Sequence, residues 1–288
     1  MHERPSRRSV LASAGALAFA GLAGCTGGDT GTDATTDTTA TGTADAAPTE
    51  RAPSVDWSGV ADFRTWLTEY STLPSSNARF DYQSVDLGTV IESGRASFLD
   101  LSVDNVDGVL FQSGNTIVVG SFNRSALSNA VEVADDHEVN GEYEGYTTAE
   151  AVEGETKLAL GEDAVLAGSD LPVYIDTHRG ERERLEESDP VFTTILGKLP
   201  ERGVVAGQYG PPAGGEIDAE AIEAWGTSMA SVEADTGTWV YAFESGTSDE
   251  TVEAVESGLA ASALTDEVTD RSEDGRFVTF TATMADLG

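Results

Sequence analysis

From Ser54 onward, apolar side chains recur along the chain with two alternating periods, and the switches between them mark out the elements. Val60, Phe63, Leu67 and Tyr70 follow a helical spacing, Trp66 widens that face, and Pro74 lies just past its end, so a first helix is predicted there. Two short apolar runs, 109–111 and 117–119, flank Ser113-Gly114-Asn115 and predict a hairpin. Ser125 is a suitable N-cap for a helix that would bury Leu127, Ala130, Val131 and Ala134. A strand is predicted over 146–151, and a hairpin over 157–160 and 164–167 that turns on Gly161-Glu162-Asp163. Residues 171–187 read as helix with a break at Gly180. Asp189-Pro190 then supplies an N-cap and a first helical residue for a helix with Phe192, Ile195, Leu196 and Leu199 inward. Residues 203–208 make a short apolar strand.

The last third repeats the rhythm. A hairpin is expected from 229–234 and 238–243, turning on 235–237, followed by a helix over 249–264 with Val252, Val255, Leu259 and Ala263 on one side. Thr247-Ser248-Asp249-Glu250 fits a capping box at its start, and 277–283 alternates as a final strand. Hairpin, helix and strand thus occur at 109–151 and again at 229–283, which suggests a duplicated ββαβ unit. The expected class is α+β: a mainly antiparallel sheet with helices packed on one face. The globular part, 54–288, fits one large domain or two similar halves, about 54–200 and 201–288.

What precedes Ser54 is of another kind. Residues 26–53 are Thr, Asp, Ala and Gly, with ten threonines and five acids. Such a segment buries too little apolar surface to offset the entropy of ordering it, and is expected to act as a tether over 25–53. Ahead of it lie Arg4, Arg7 and Arg8, an uncharged run from Val10 to Ala23, and small residues up to Cys25. That is the layout of an export signal. As a helix the 14 uncharged residues would span about 21 Å, short of the ~30 Å hydrocarbon core that a permanent span must cross.

Ser6-Arg7-Arg8-Ser9-Val10-Leu11 resembles a twin-arginine export signal, a receptor-read address, and Leu22-Ala23-Gly24-Cys25 resembles a lipobox. The resemblance implies that residues 1–24 are removed, that Arg7 and Arg8 are read during export, and that Cys25 is lipidated on sulfur and becomes the first residue of the mature chain. Two acyl chains anchor a protein stably where one does not, and a two-chain lipid is what the motif implies. The expected location is the outer face of the cell membrane, with membrane lipid as the partner through Cys25. The chain resembles haloarchaeal lipoproteins of this general layout, a family that supplies no activity to carry over.

Charge agrees with that resemblance. The chain has 51 acidic and 16 basic residues, a formal charge of −35, and its only lysines are Lys157 and Lys198. Such an excess resembles the surface chemistry of salt-loving archaea, in which molar salt shortens the Debye length to ~3 Å and makes close carboxylates tolerable. It also argues against nucleic-acid binding, which needs basic patches to neutralise phosphates.

Little in the domain points to chemistry. Cys25 is the only cysteine, so an intramolecular disulfide and a cysteine-based metal site are both excluded. His137, in Asp135-Asp136-His137-Glu138, reads as a solvated turn rather than a metal site. His178, in Asp176-Thr177-His178-Arg179, could act as a base with Asp176, yet no Gly-x-Ser-x-Gly elbow accompanies it. Asp104-Asn105-Val106-Asp107-Gly108 superficially suggests a calcium loop, but alignment on Gly108 puts Val103 and Gly114 at the two anchoring positions. Asn123-Arg124-Ser125 matches the N-glycosylation acceptor pattern, although Ser125 as a helix N-cap would explain its presence without a glycan. No catalytic residue, metal or cofactor is therefore expected. The function expected is that of an exported, lipid-anchored surface module, binding or structural and without catalysis, with a surface protein or solute as its partner. A solute-binding lipoprotein serving a transporter is the first rival, and a surface hydrolase the second.

Overall fold

The computed structural model describes residues 54–69, 79–93, 99, 101–212, 220–231 and 233–285. Their strands form one twelve-stranded sheet in which every neighbouring pair runs antiparallel. In chain order these are β1 (Arg79–Gln83), β2 (Val106–Gln112), β3 (Asn115–Gly120), β4 (His137–Tyr143), β5 (Tyr146–Ala151), β6 (Lys157–Leu160), β7 (Ala164–Gly168), β8 (Val204–Tyr209), β9 (Ile222–Met229), β10 (Thr236–Phe243), β11 (Thr265–Asp274) and β12 (Phe277–Met284). The helices are α1 (Phe63–Trp66), α2 (Leu87–Ser93), α3 (Arg124–Val133), α4 (Leu171–His178), α5 (Leu185–Ser188), α6 (Pro190–Lys198) and α7 (Asp249–Ala260). The fold is α+β, as expected.

Across the sheet the order is β11-β12-β10-β9-β8-β1-β2-β3-β7-β6-β5-β4. The central pair, β8 and β1, is antiparallel, and each of the two opens an arm with the same connectivity. One arm runs β1, β2, β3, α3, β4, β5, and the other runs β8, β9, β10, α7, β11, β12. In both, the hairpin after the helix returns to the sheet with its first strand at the outer edge. Among the described residues the arms differ at two places: α2 lies between β1 and β2, and β6 and β7 sit between β3 and β5, after which the chain passes through α4, α5 and α6 before β8.

Residues paired across antiparallel strands share a face. Tyr82, Leu110, Ile117, Leu166 and Ala159 look one way, while Phe111, Thr116, Ala167 and Leu158 look the other. The first face carries one continuous core, in which Phe63 and Trp66 of α1, Tyr174 and Ile175 of α4, Leu185 of α5 and Phe192 and Ile195 of α6 meet the strands. The opposite face carries two cores, one under α2 and α3 with Leu127 and Val131, the other under α7 with Val252, Val255 and Leu259. The helices, expected on one face, divide between both. The physical reason is that the strands are apolar on both sides: β7 is buried at all five positions, and β10 presents Val240 and Ala242 to one side, Trp239 and Tyr241 to the other.

Small residues set how closely α6 approaches. A Cβ on Gly226 would lie 2.7 Å from Ile195 Cγ2 and 2.9 Å from Leu199 Cδ1, and one on Gly207 would lie 2.8 Å from Phe80 and 3.2 Å from Phe192. Two absent side chains on β8 and β9 thus make the seat for the helix.

Several expected boundaries move. The first helix is a single turn, 63–66, because Leu67 is extended (ψ 109°) and its carbonyl accepts from Leu185 N–H. The amide of Gln112 then brackets the next residue, accepting from Thr68 N–H and donating to Thr68 O at 3.3 Å each, so tertiary pairing overrides the helical spacing. The Tyr70 and Pro74 signals lie outside the described residues. Helix α3 is capped by Asn123, whose Oδ1 accepts from Ala126 N–H at 3.0 Å, and not by Ser125. Likewise Ser248 caps α7, which ends at Ala260. The strand expected over 229–234 lies earlier, at Ile222–Met229.

Candidate functional site

Among the described residues one histidine is built into a polar cluster, at the end of the sheet where α4 stops. Leu171, Tyr174 and Ile175 bury one side of α4 and leave His178, its last residue, on the rim. Trp66, itself buried, stacks on the imidazole with ring centroids 4.0 Å apart and planes 8° from parallel. Thr65 Oγ1 lies 2.8 Å from His178 Nδ1, and Asp163 Oδ2, from the β6–β7 turn, lies 3.5 Å from Nε2. Tyr146 of β5 donates to Asp163 Oδ1 at 2.6 Å. The cluster therefore ties α1, α4, β5 and the β6–β7 turn together. Gly161 makes room for it, since a Cβ there would lie 2.2 Å from the Tyr146 ring.

These are the residue types of a hydroxyl–imidazole–carboxylate triad, but the protons are in the wrong places. Thr65 Oγ1 donates its one proton to Asp62 O at 2.7 Å. Its contact with His178 Nδ1, at 2.8 Å, takes its direction from the tautomer of the ring. A nucleophile needs its own proton directed at a basic nitrogen instead. The geometry is that of a latch.

Electrostatics reinforces the latch. Burial opposes the charge on Asp163, but hydrogen bonds from His178 and Tyr146 outweigh it and hold the carboxyl below its ordinary value. Burial and the same carboxylate push the Tyr146 phenol up. On the neighbouring strand Tyr143 donates to Asp176 Oδ1 at 2.7 Å, and this bond pushes its phenol up to about 12. The conceivable His178–Asp176 pairing, set aside on the sequence, is not formed: Asp176 is taken by Tyr143, and His178 by Asp163 and Thr65. Because the pKa of Asp163 is depressed in the folded state, its contribution is complete above the ordinary carboxylate range, about pH 4, and is lost as pH falls through the lower folded value. Acid titration followed by circular dichroism should therefore show Asp163→Asn less stable than the parent at pH 6, with the difference closing as the pH falls below about 4. A difference that widened toward acid would contradict the assigned sign.

The other expected features are placed as follows. His137 opens edge strand β4 instead of sitting in a turn, with Nδ1 2.9 Å from Asp136 Oδ1. Val103–Asn105 is a 3₁₀ turn leading into β2. No group of three or more His, Cys, Asp or Glu among the described residues could hold a metal. Arg7, Arg8, Leu22, Ala23, Gly24 and Cys25 lie outside the described residues. No helix among those described is long and apolar enough to cross a membrane.

A buried ion pair that the sequence pattern did not disclose fixes the start of the domain. Arg64 donates from Nε to Glu186 Oε1 at 2.8 Å and from Nη2 to Oε2, and Glu186 is 1% exposed. Alongside it Trp57 Nε1 donates to Glu187 at 2.9 Å, and the Arg184 guanidinium lies 4.4 Å over the Trp57 ring. The sequence signal was faint: Arg64 stands between Phe63 and Thr65-Trp66, far along the chain from Arg184, Glu186 and Glu187, which lie in a charged stretch that reads as solvated.

No protein-family model matches the chain, and no curated protein sequence matches it. Two solved structures align with the chain. Crystal form III of TP0453 aligns with a TM-score of 0.50 at 10% identity, covering 78% of this chain and 94% of that one. Crystal form IV gives 0.44 at 11% identity, over 77% and 95%. At such identity the likeness is one of fold alone.

Proposed function

We propose that this chain is an exported lipoprotein, held to the outer face of the membrane through Cys25, whose domain serves as a non-catalytic binding or structural module. The observation that carries this reading is the ordered series in the first 25 residues: the arginine pair, the uncharged run and the small residues ending in the only cysteine. The domain supports it from the other side. Its one histidine latch directs the Thr65 proton into the backbone, and its stability draws on no disulfide, as suits a passenger that folds before export through a twin-arginine route. The solute-binding rival implies two lobes with parallel sheets, whereas every strand pair among the described residues is antiparallel.

The export route is tested by Arg7→Lys combined with Arg8→Lys. The paired variant should accumulate inside the cell as full-length precursor while the parent reaches the surface, read by surface protease digestion and fractionation. Normal surface display of the variant would contradict the twin-arginine route. Cross-linking and co-purification from intact cells in high salt separates the rivals: a transporter permease would point to solute capture, and a surface protein to the module reading.

A further inference from the structure

We infer that Asn123 is a glycan attachment site, presented by the fold in a form that a sugar-transfer enzyme can use after the domain has folded. The inference rests on the export reading, because the modification would take place outside the cell.

Asn123-Arg124-Ser125 is the only Asn-x-Ser/Thr series in the chain. It lies at the β3–α3 junction, with Asn123 and Ser125 both exposed. The simplest explanation for Ser125 in the sequence was a capping role, and the structure removes it: Ser125 is already inside α3 and Asn123 is the cap. Capping, however, uses only one end of the Asn123 amide. Oδ1 accepts from Ala126 N–H at 3.0 Å, and Nδ2 takes no part in that cap. The backbone of Asn123 is extended (φ −90°, ψ 97°), outside the helix. The middle residue is held: Arg124 Nη1 donates to Gly145 O at 2.6 Å, and Phe122 N–H donates to Glu162 O at 2.8 Å. The acceptor amide is therefore displayed from a junction fixed on both sides, with the hydroxyl residue two positions on also at the surface.

In the reaction a bond forms between Asn123 Nδ2 and the anomeric carbon of a sugar. The bond from that carbon to the phosphate of a lipid-linked donor breaks, the lipid phosphate leaves, and one amide proton is lost to base. A glycan on Nδ2 leaves Oδ1 free to go on capping α3, so attachment and fold are compatible.

The helix cap makes a clean test. Asn123→Asp keeps a capping oxygen and removes the acceptor nitrogen; Ser125→Ala keeps Asn123 and breaks the pattern. Parent and variants are isolated from the native cells, split into surface-exposed and internal fractions by protease accessibility, and the peptide carrying residue 123 is weighed by mass spectrometry. The surface fraction of the parent should carry a sugar mass on Asn123, the internal fraction none, and both variants should lack it while giving the parent's circular dichroism. An unmodified Asn123 on surface-exposed chain overturns the glycan site and leaves export standing. An unmodified chain that never reaches the surface overturns both.

Discussion

Replacing Glu186 by Ala should lower the stability of the domain by about 3–5 kcal/mol, the range found when one member of a buried ion pair is removed. Glu186 is 1% exposed and Arg64 9%, and the two make a two-pronged contact. Without the carboxylate, Arg64 keeps its charge in a site with little water. A second acid, Glu201, stands 3.6 Å from Nη1 but is half exposed, and a pair of that kind is worth only ~0–1 kcal/mol. For a domain of this length the loss corresponds to a fall in Tm of roughly 6–20 °C, measured by thermal unfolding in molar salt. The double variant Arg64→Met, Glu186→Leu should recover most of it, since an apolar pair of similar volume avoids the desolvation of two charges. A Glu186→Ala variant that melts with the parent would show that the pair does not hold the 54–68 segment in place.

Dialysis from molar salt to below ~0.1 M should unfold the domain. The Debye length then grows from ~3 Å to ~10 Å, so carboxylates on neighbouring strands and turns repel one another across distances that salt had screened. Edge strand β11 shows the problem in miniature: Thr265–Asp274 carries Asp266, Glu267, Asp270, Glu273 and Asp274 against the single base Arg271. Exposed pairs such as Lys198–Asp274 and Arg271–Glu273 give back ~0–1 kcal/mol each, too little against a formal charge of −35. Far-ultraviolet circular dichroism and near-ultraviolet tryptophan signals followed through the dialysis check this. Unchanged spectra below ~0.1 M salt would contradict it.

The elements that the residue pattern disclosed are those whose burial is one-sided or whose turns are chemically marked. Ser113-Gly114 adopts positive φ at both positions (49° and 79°), as a two-residue hairpin requires, and β2 and β3 lie where expected. Asp189 caps α6 through Val191 and Phe192 N–H, as its place before Pro190 predicts. The strands that escaped are β1, β4 and β11. Strand β1 has only Phe80 and Tyr82 as apolar residues. The other two are edge strands whose charged residues keep both faces solvated, so no alternation marks them. Turn chemistry would have found them: Glu144-Gly145 has positive φ at both residues, and Asp274-Gly275 puts a positive-φ glycine at the first central position. Recognising β4 and β11 turns the suspected ββαβ repeat into the longer shared connectivity of the two arms.

The histidine cluster was less legible. His178 could be matched with its sequence neighbour Asp176, but antiparallel pairing brings the β6–β7 turn to the end of α4, and Asp163 is 15 positions away in sequence. A helix end and a turn that meet only through the sheet leave no local signature. The same holds for Arg64 and Glu186, separated by 122 positions.

The measurement that tests the proposal most directly is the intact mass of the chain extracted from membranes. It should begin at Cys25, lack residues 1–24, and carry the mass of a two-chain lipid removable only by breaking a bond to sulfur, while Cys25→Ser should leave an unlipidated chain outside the membrane fraction. A membrane-bound chain that retains residues 1–24, or one whose Cys25 is an unmodified thiol, would contradict the anchored-lipoprotein reading.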